Sequence, residues 1–414
     1  MGKGFLATKI LSIFYRITKK FLISLIFEID LFLSLRYNFF VRKQYQGVVL
    51  LFKLGISVYP EHCSKEETLA YIDKAGKLGF KRIFTCLISV KNSSKEQLVN
   101  EFREICNLSH EFGMEVICDV NPQVFETLGL KYDNLELFKE MKFDGIRIDE
   151  CFDGRKESLM TYNKENLKIE LNSSMGSKYL DQVMSYYPNK ENLITCHNFY
   201  PQKFTGISLE HFNSCNEQMK KYSLRTAAFV SSNNQNTFGP WPVYEGLPTL
   251  EMHRGLPISL QVRHLFATRM IDDVIIGNAF AHYDELLECS KIDPRILTFD
   301  IEFEKELTDV EKEILYFKDM HVIRGDFGEY FARSSQTREV FKDFDMPVFN
   351  ARNLKRGDVV ILNNDYSKYK CEMQIVLKDV ENDGRRNVIG HIPSYEHVLL
   401  DYIKPWRPVK FLRR

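Results

Sequence analysis

The stretch Glu115-Val-Ile-Cys-Asp-Val-Asn121 is followed, after a connection long enough for a helix, by Gly145-Ile-Arg-Ile-Asp-Glu150. Each is a short apolar run that ends in carboxylates or amides. Runs that are apolar throughout and joined by helical connections read as parallel strands buried on both faces. Outward from this pair the same rhythm recurs at Leu54–Val58, Arg82–Ser89, Lys168–Asn172, Leu193–Phe199, Thr226–Ser231 and Asp273–Gly277. Between them lie amphipathic segments such as Ser64–Leu78, with Leu69, Ile72, Ala75 and Leu78 at helical spacing, and Lys95–Phe112, with Leu98, Phe102, Ile105 and Leu108. Eight such units predict an α/β fold, a (β/α)8 TIM barrel over residues 51–292. An open doubly wound sheet is the alternative, but no GxGxxG follows the first run.

Beyond Lys291 the rhythm changes. Leu307–Met320 reads as one helix with an acidic first turn. Short β-like stretches follow at Glu329–Ala332, Asp358–Leu362, Glu372–Leu377, Asn387–Ile392 and His397–Leu400, separated by turn residues such as Glu381-Asn-Asp-Gly384. A small β-rich domain is therefore expected over 300–414. Residues 1–50 differ from both parts: a cationic start precedes the apolar run Phe21–Leu35, which Glu28 and Asp30 interrupt. An Asp at a bilayer centre costs roughly 2.5–3.5 kcal/mol, so this segment is expected to be an extension that the core does not need. Any membrane contact is expected only through residues 1–35.

The composition narrows the function classes. Of 414 residues 44% are hydrophobic and 27% charged, which excludes collagen-like, disordered and disulfide-scaffold chains. Lys plus Arg and Asp plus Glu both number 56, so the chain lacks the basic excess of a nucleic-acid binder. The nine cysteines form no CxxC pair, and free, buried thiols in a reducing cytoplasm are expected.

A barrel gathers the carboxyl ends of its strands into one mouth. Here these ends supply Ser57, Tyr59 and Glu61; Asp119 and Asn121; Arg147, Asp149 and Glu150; Glu170 and Asn172; His197, Asn198 and Tyr200; Ser231, Ser232 and Asn233; Gly277 and Asn278. One carboxylate alone reads as a helix cap or loop ion pair. Polar groups at seven strand ends read as a functional mouth. Such carboxylates suit glycosidic hydrolysis, in which one protonates the leaving oxygen and another attacks or activates water. The expected catalytic pair is Asp149 and Glu170, with Glu150 as the substitute if the register differs by one. Binding of a divalent cation by His197, Asp149 and Glu170 is the rival, without an HxH or HExxH to sharpen it. The long segment Ser231–Arg254 offers Trp241 for stacking on a sugar, with Glu245, Glu251, His253 and Arg254 as polar reach, or else packs as a rigid lid. Ser231, Ser232, Gly277, Asn278 and Arg254 are candidates for a phosphate. In the β-rich domain Arg333, Ser334, Ser335 and Arg338 are further candidates, with a solvated turn as the plainer reading.

Several strings carry a family resemblance: Leu54-Gly-Ile-Ser-Val-Tyr-Pro-Glu61, Val116-Ile-Cys-Asp-Val-Asn-Pro122, Asp144-Gly-Ile-Arg-Ile-Asp-Glu150, Cys196-His-Asn-Phe-Tyr-Pro-Gln202, Gly239-Pro-Trp-Pro242, Gly246-Leu-Pro-Thr-Leu-Glu251 and Ile271-Asp-Asp-Val-Ile-Ile-Gly-Asn278. From residue 52 to 414 the chain resembles the MupG-like 6-phospho-N-acetylmuramidase family. The resemblance implies a TIM barrel followed by a cyclophilin-like β-barrel domain. It implies a cytoplasmic hydrolase, without metal or other cofactor, that cleaves the disaccharide of N-acetylmuramic acid 6-phosphate and N-acetylglucosamine in peptidoglycan recycling. Cys151 stands where the family pattern has Gly. The alternatives are a barrel lyase or isomerase acting on a phosphorylated sugar, and a non-enzymatic surface protein. A pyridoxal-phosphate barrel is disfavoured because no Lys ends the first strand.

Overall fold

The computed structural model describes residues 52–88 and 94–413. The expected extension over 1–50 and Ser89 lie outside the described residues. Eight parallel strands close in sequence order into a barrel: β1 Lys53–Ser57, β2 Arg82–Cys86, β3 Glu115–Val120, β4 Gly145–Ile148, β5 Lys168–Asn172, β6 Leu193–Cys196, β7 Thr226–Val230 and β8 Asp273–Ile276. The pairing of Lys53 with Asp273 and of Gly55 with Ile275 shuts the ring. The helices between the strands include α1 Lys65–Lys77, α2 Lys95–Glu111, α3 Pro122–Thr127, α4 Glu136–Glu140, α5 Arg155–Met160, α6 Tyr179–Ser185, α7 Leu209–Lys221, α8 Ile258–Ala267 and α9 Tyr283–Ser290. α1 and α2 each start at a capping box, Ser64 with Glu67 and Ser94 with Gln97. Each box satisfies two amides that the first turn leaves open.

The barrel interior is layered. At the amino-terminal end, buried or half-buried ions cross-link strand starts: Lys53 and Lys168 meet Glu115, and Arg82 meets Asp273 at 2.7 Å and also Glu170. Above lies an apolar plug in which Phe84, Phe199 and Phe229 meet edge to face at 5.1–5.9 Å. Each such contact adds roughly 0.5–1.5 kcal/mol beyond area burial. The polar mouth sits on top of this plug.

The carboxy-terminal part has β9 Leu297–Phe299, β10 Glu302–Phe303, α10 Asp309–Leu315, β11 His321–Val322, β12 Phe331–Ser334, α11 Gln336–Val340, β13 Asp358–Leu362, β14 Met373–Val376, β15 Arg386–His391, α12 His397–Leu400 and β16 Pro408–Phe411. They build a five-stranded sheet, β10-β15-β13-β14-β12, and a three-stranded sheet, β11-β16-β9. Two expectations are corrected here. The helix expected over Leu307–Met320 ends at Leu315, and Lys318 takes a left-handed φ of 46°. His397–Leu400, read as a strand, is the short helix α12. Leu399 and Leu400 are both buried, which a helical turn allows and an alternating strand does not. α8 belongs to both parts: Leu260 and Ala267 pack with Phe299, Ile375 and Val409 in the second core.

Candidate active site

Side-chain alternation aims Asp119 of β3 and Arg147 of β4 into the barrel, where they are register partners. Asp149 follows Arg147 by two residues and shares its face. Arg147 Nη1 donates to Asp119 Oδ1 at 2.6 Å and to Asp149 Oδ1 at 2.8 Å, and Nη2 donates to Asn198. Two bonds to one nitrogen keep those carboxylate oxygens within about 5.4 Å of each other. Asp119 and Arg147 are buried, whereas the Asp149 side chain is 35% exposed. Asp119, Arg147, Asp149, Asn198, Phe199, Pro201 and Trp241 line a cleft of about 90 Å3 at the mouth.

Burial raises the Asp119 carboxyl to about 7. Asp149 and Glu170 push it the same way, against the lowering pull of Arg147. The cleft thus offers a carboxyl that holds its proton near neutrality beside a second carboxylate that is ion-paired and open to a ligand.

The expected partner Glu170 is not brought to this cleft. It lies two residues below the end of β5 and is fully buried, with its charge committed to Arg82 from the start of β2. Its side chain does face inward, but one layer too deep. Glu150 is exposed, two residues past the end of β4.

The other candidates divide between cleft and scaffold. Tyr59 OH donates to the Gly277 carbonyl at 2.6 Å and is fully buried, as is Ser57. Glu61 lies in the short turn after β1, beside His62. Asn121 caps α3 by accepting from Val124 N at 3.0 Å, and Asn172 accepts from Ser174 N at 2.9 Å. His197 follows the inward Cys196, so its ring points out against Phe212 of α7, with Nδ1 at Ser174 Oγ and Nε2 at Asn216 Oδ1. Burial lowers its pKa to about 4. The rival triad His197, Asp149 and Glu170 is therefore not assembled. Among the described residues no group of three or more His, Cys, Asp or Glu is placed to hold a metal ion.

The donors proposed for a phosphate are largely committed. Ser231 Oγ accepts from Leu247 N, Ser232 Oγ donates to Glu285, and Asn278 clasps the Ser232 backbone and Thr237. Arg254 pairs with Glu251 and donates to the carbonyls of Tyr200, Gln202, Glu245 and Gly246. Glu251 in turn accepts from Phe204 N and Gly206 N, and its pKa falls to about 2, chiefly through Arg254. These two residues lock the loops after β6 and β7 together. In the carboxy-terminal part Arg333 and Arg338 both bond the buried Glu372, and Ser334 Oγ meets His321.

In the sequence Asp119 stands only among the polar groups at the strand ends, and Phe199 and Pro201 carry no signal of their own. For Asp119 a signal was available: neighbouring strands lie roughly 4.8 Å apart, so the carboxylates that end the inward-facing runs of β3 and β4 can approach each other.

The sequence model described as 6-phospho-N-acetylmuramidase, N-terminal, matches residues 54–291, and that described as 6-phospho-N-acetylmuramidase, C-terminal, matches residues 297–412. The crystal structure of an uncharacterized B. cereus protein is 46% identical, with a TM-score of 0.80, and the match covers 87% of this chain and 99% of that one. A conserved protein from a locus in Enterococcus faecalis, of unknown function, shares the fold at 24% identity and a TM-score of 0.64, over 87% of this chain and 96% of that one. No curated protein matches the chain.

Proposed function

The chain belongs to the 6-phospho-N-acetylmuramidase family, a family of glycosidic hydrolases, and from that premise we propose that it cleaves the disaccharide of N-acetylmuramic acid 6-phosphate and N-acetylglucosamine with Asp119 and Asp149 as its two carboxyl groups. The observation that carries this reading is the pair of carboxyls held on one nitrogen of Arg147 at a mouth cleft whose lining includes Phe199 and Trp241. Asp119, protonated up to about pH 7, donates a proton to the leaving oxygen. Asp149, open to the cleft, attacks the anomeric carbon. Once the glycosyl–enzyme bond has formed, Asp119 has lost its proton and withdraws one from the water that releases the sugar. Retaining enzymes hold their carboxyls roughly 5–5.5 Å apart and inverting ones roughly 6.5–9.5 Å. The short tether through Arg147 favours retention. Trp241 supplies a flat apolar wall for a sugar ring.

The place of the reaction is proposed on the same family ground: a cytoplasmic step of peptidoglycan recycling, with a cyclophilin-like carboxy-terminal domain and no cofactor. Among the described residues no helix is long and apolar enough to cross a membrane. The reading is tested with Asp149→Asn and Asp119→Asn in the full chain. Asp149→Asn is expected to abolish turnover. Asp119→Asn is expected to lose roughly 10²–10⁴-fold on the natural disaccharide and far less on an aryl glycoside whose leaving group needs no proton. Near-normal turnover by Asp149→Asn overturns the assignment.

A further inference from the structure

The loop that follows β6 is held with unusual completeness. Lys203 N donates to Glu245 at 2.9 Å, Phe204 N and Gly206 N donate to Glu251 at 2.9 Å, and the Tyr200 and Gln202 carbonyls accept from Arg254. The loop is anchored at Ile207, which exchanges backbone bonds with Thr249 and Glu251. What this framework presents is costly. Phe204 has a left-handed φ of 68° and is 89% exposed. A large non-glycine residue in that region costs of order 1–3 kcal/mol, and the bond from its amide to Glu251 helps hold it there. The fixed backbone leaves the side chains of Lys203 and Phe204 exposed.

The side chains displayed are specific in kind. Phe204 and the exposed Tyr244 stand on the two locked loops, and Pro201 and Trp241 from the same loops line the catalytic cleft. These loops carry two Lys or Arg residues. Arg254 is spent on the framework, whereas the exposed ammonium of Lys203, two residues from Pro201, makes no ion pair among the described residues. An uncommitted cation on a fixed backbone, two residues from a Pro that lines the cleft, matches a ligand with an anionic group on a sugar ring.

We propose that Lys203, positioned by the Glu251–Arg254 lock, is the specificity residue that recognises the 6-phosphate of the sugar bound in the Asp119–Asp149 cleft, with Phe204 as an apolar wall beside it. This rests on the hydrolase reading above and names a contact that reading leaves open.

The test compares wild type, Lys203→Met and Lys203→Arg as full chains, with melting temperature as the check on folding. The readout is the ratio of kcat/KM for the disaccharide with and without the 6-phosphate, together with calorimetric binding of N-acetylmuramic acid 6-phosphate. Lys203→Met is expected to lower the ratio at least tenfold, chiefly through KM for the phosphorylated form, and to weaken binding of the monosaccharide phosphate similarly. Lys203→Arg is expected to restore most of both. An unchanged ratio, or an equal loss on both disaccharides, overturns the proposal. If wild type hydrolyses neither disaccharide, the hydrolase reading fails and the calorimetry decides separately. Tighter binding by wild type than by Lys203→Met upholds the anion site; equal or absent binding rejects it.

Discussion

Arg147 holds two carboxyl groups on one nitrogen, and this single contact sets the chemistry of the mouth. Its guanidinium lowers the Asp119 pKa, yet burial outweighs it and the carboxyl rises to about 7. A group whose folded pKa lies above its unfolded value binds its proton more tightly in the native state. The native state therefore loses stability as pH rises from about 4 through about 7. Two outcomes are expected. The rate should fall on the alkaline side with a midpoint near pH 7, as the acid loses its proton; a profile flat from pH 6 to 9 would contradict the role. Asp119→Asn should melt no lower than wild type at pH 8 while losing turnover, so a large drop in melting temperature would assign Asp119 to the scaffold instead. Arg147→Met leaves a buried carboxyl and a half-buried one without their cation. Breaking a buried pair typically costs roughly 3–5 kcal/mol, to be read from denaturant unfolding.

At the scale of elements, the barrel was legible because each strand is a short apolar run and each helix carries its period. The observed strands fall within a residue or two of the runs at their starts, while several end earlier than the polar residues suggested. That early ending matters for function, since it leaves Asp149 and Asn198 in loops above the ring. Depth within the barrel was the illegible quantity. Parity along β5 correctly turns Glu170 inward, but strand tilt and stagger decide which layer it joins, and a single strand does not encode them. Its partner Arg82 comes from three strands away, at the start of β2. The saturated bonding of Arg254 was equally hidden, because its acceptors are mostly carbonyls, which any residue supplies. The lock between the two loops predicts that Glu251→Gln, which keeps the shape and removes the charge, speeds proteolytic nicking within residues 200–206 and raises KM. An unchanged nicking rate would show that the loop holds itself.

At the scale of the molecule, α8 carries both cores. Its Arg263 donates to the Thr298 carbonyl at 2.7 Å and forms a buried ion pair with Glu396, which also accepts from Asp300 N. The next residue, His264, joins His253 of the barrel to Tyr402 of the carboxy-terminal part through contacts of 2.7 and 3.1 Å. Glu396→Ala strands a buried guanidinium, with an expected cost of roughly 3–5 kcal/mol. Because the two cores share this helix, the loss should appear as one lowered transition for residues of both parts. Two separate transitions would mean that they unfold independently. Two domains are legible in the sequence but not the helix common to them, since α8 is buried at every position except Ser259 and its second face has no signature distinct from burial.

The central claim is a phosphosugar glycosidase built on Asp119 and Asp149. The most direct measurement gives the purified chain, and its Asp149→Asn variant, the N-acetylmuramyl–N-acetylglucosamine disaccharide with and without a 6-phosphate, and follows the first-formed anomer by proton NMR. The account predicts that wild type cleaves the phosphorylated form with retention and that the variant does not. Cleavage of neither form, equal cleavage of both, or full activity in the variant would contradict it.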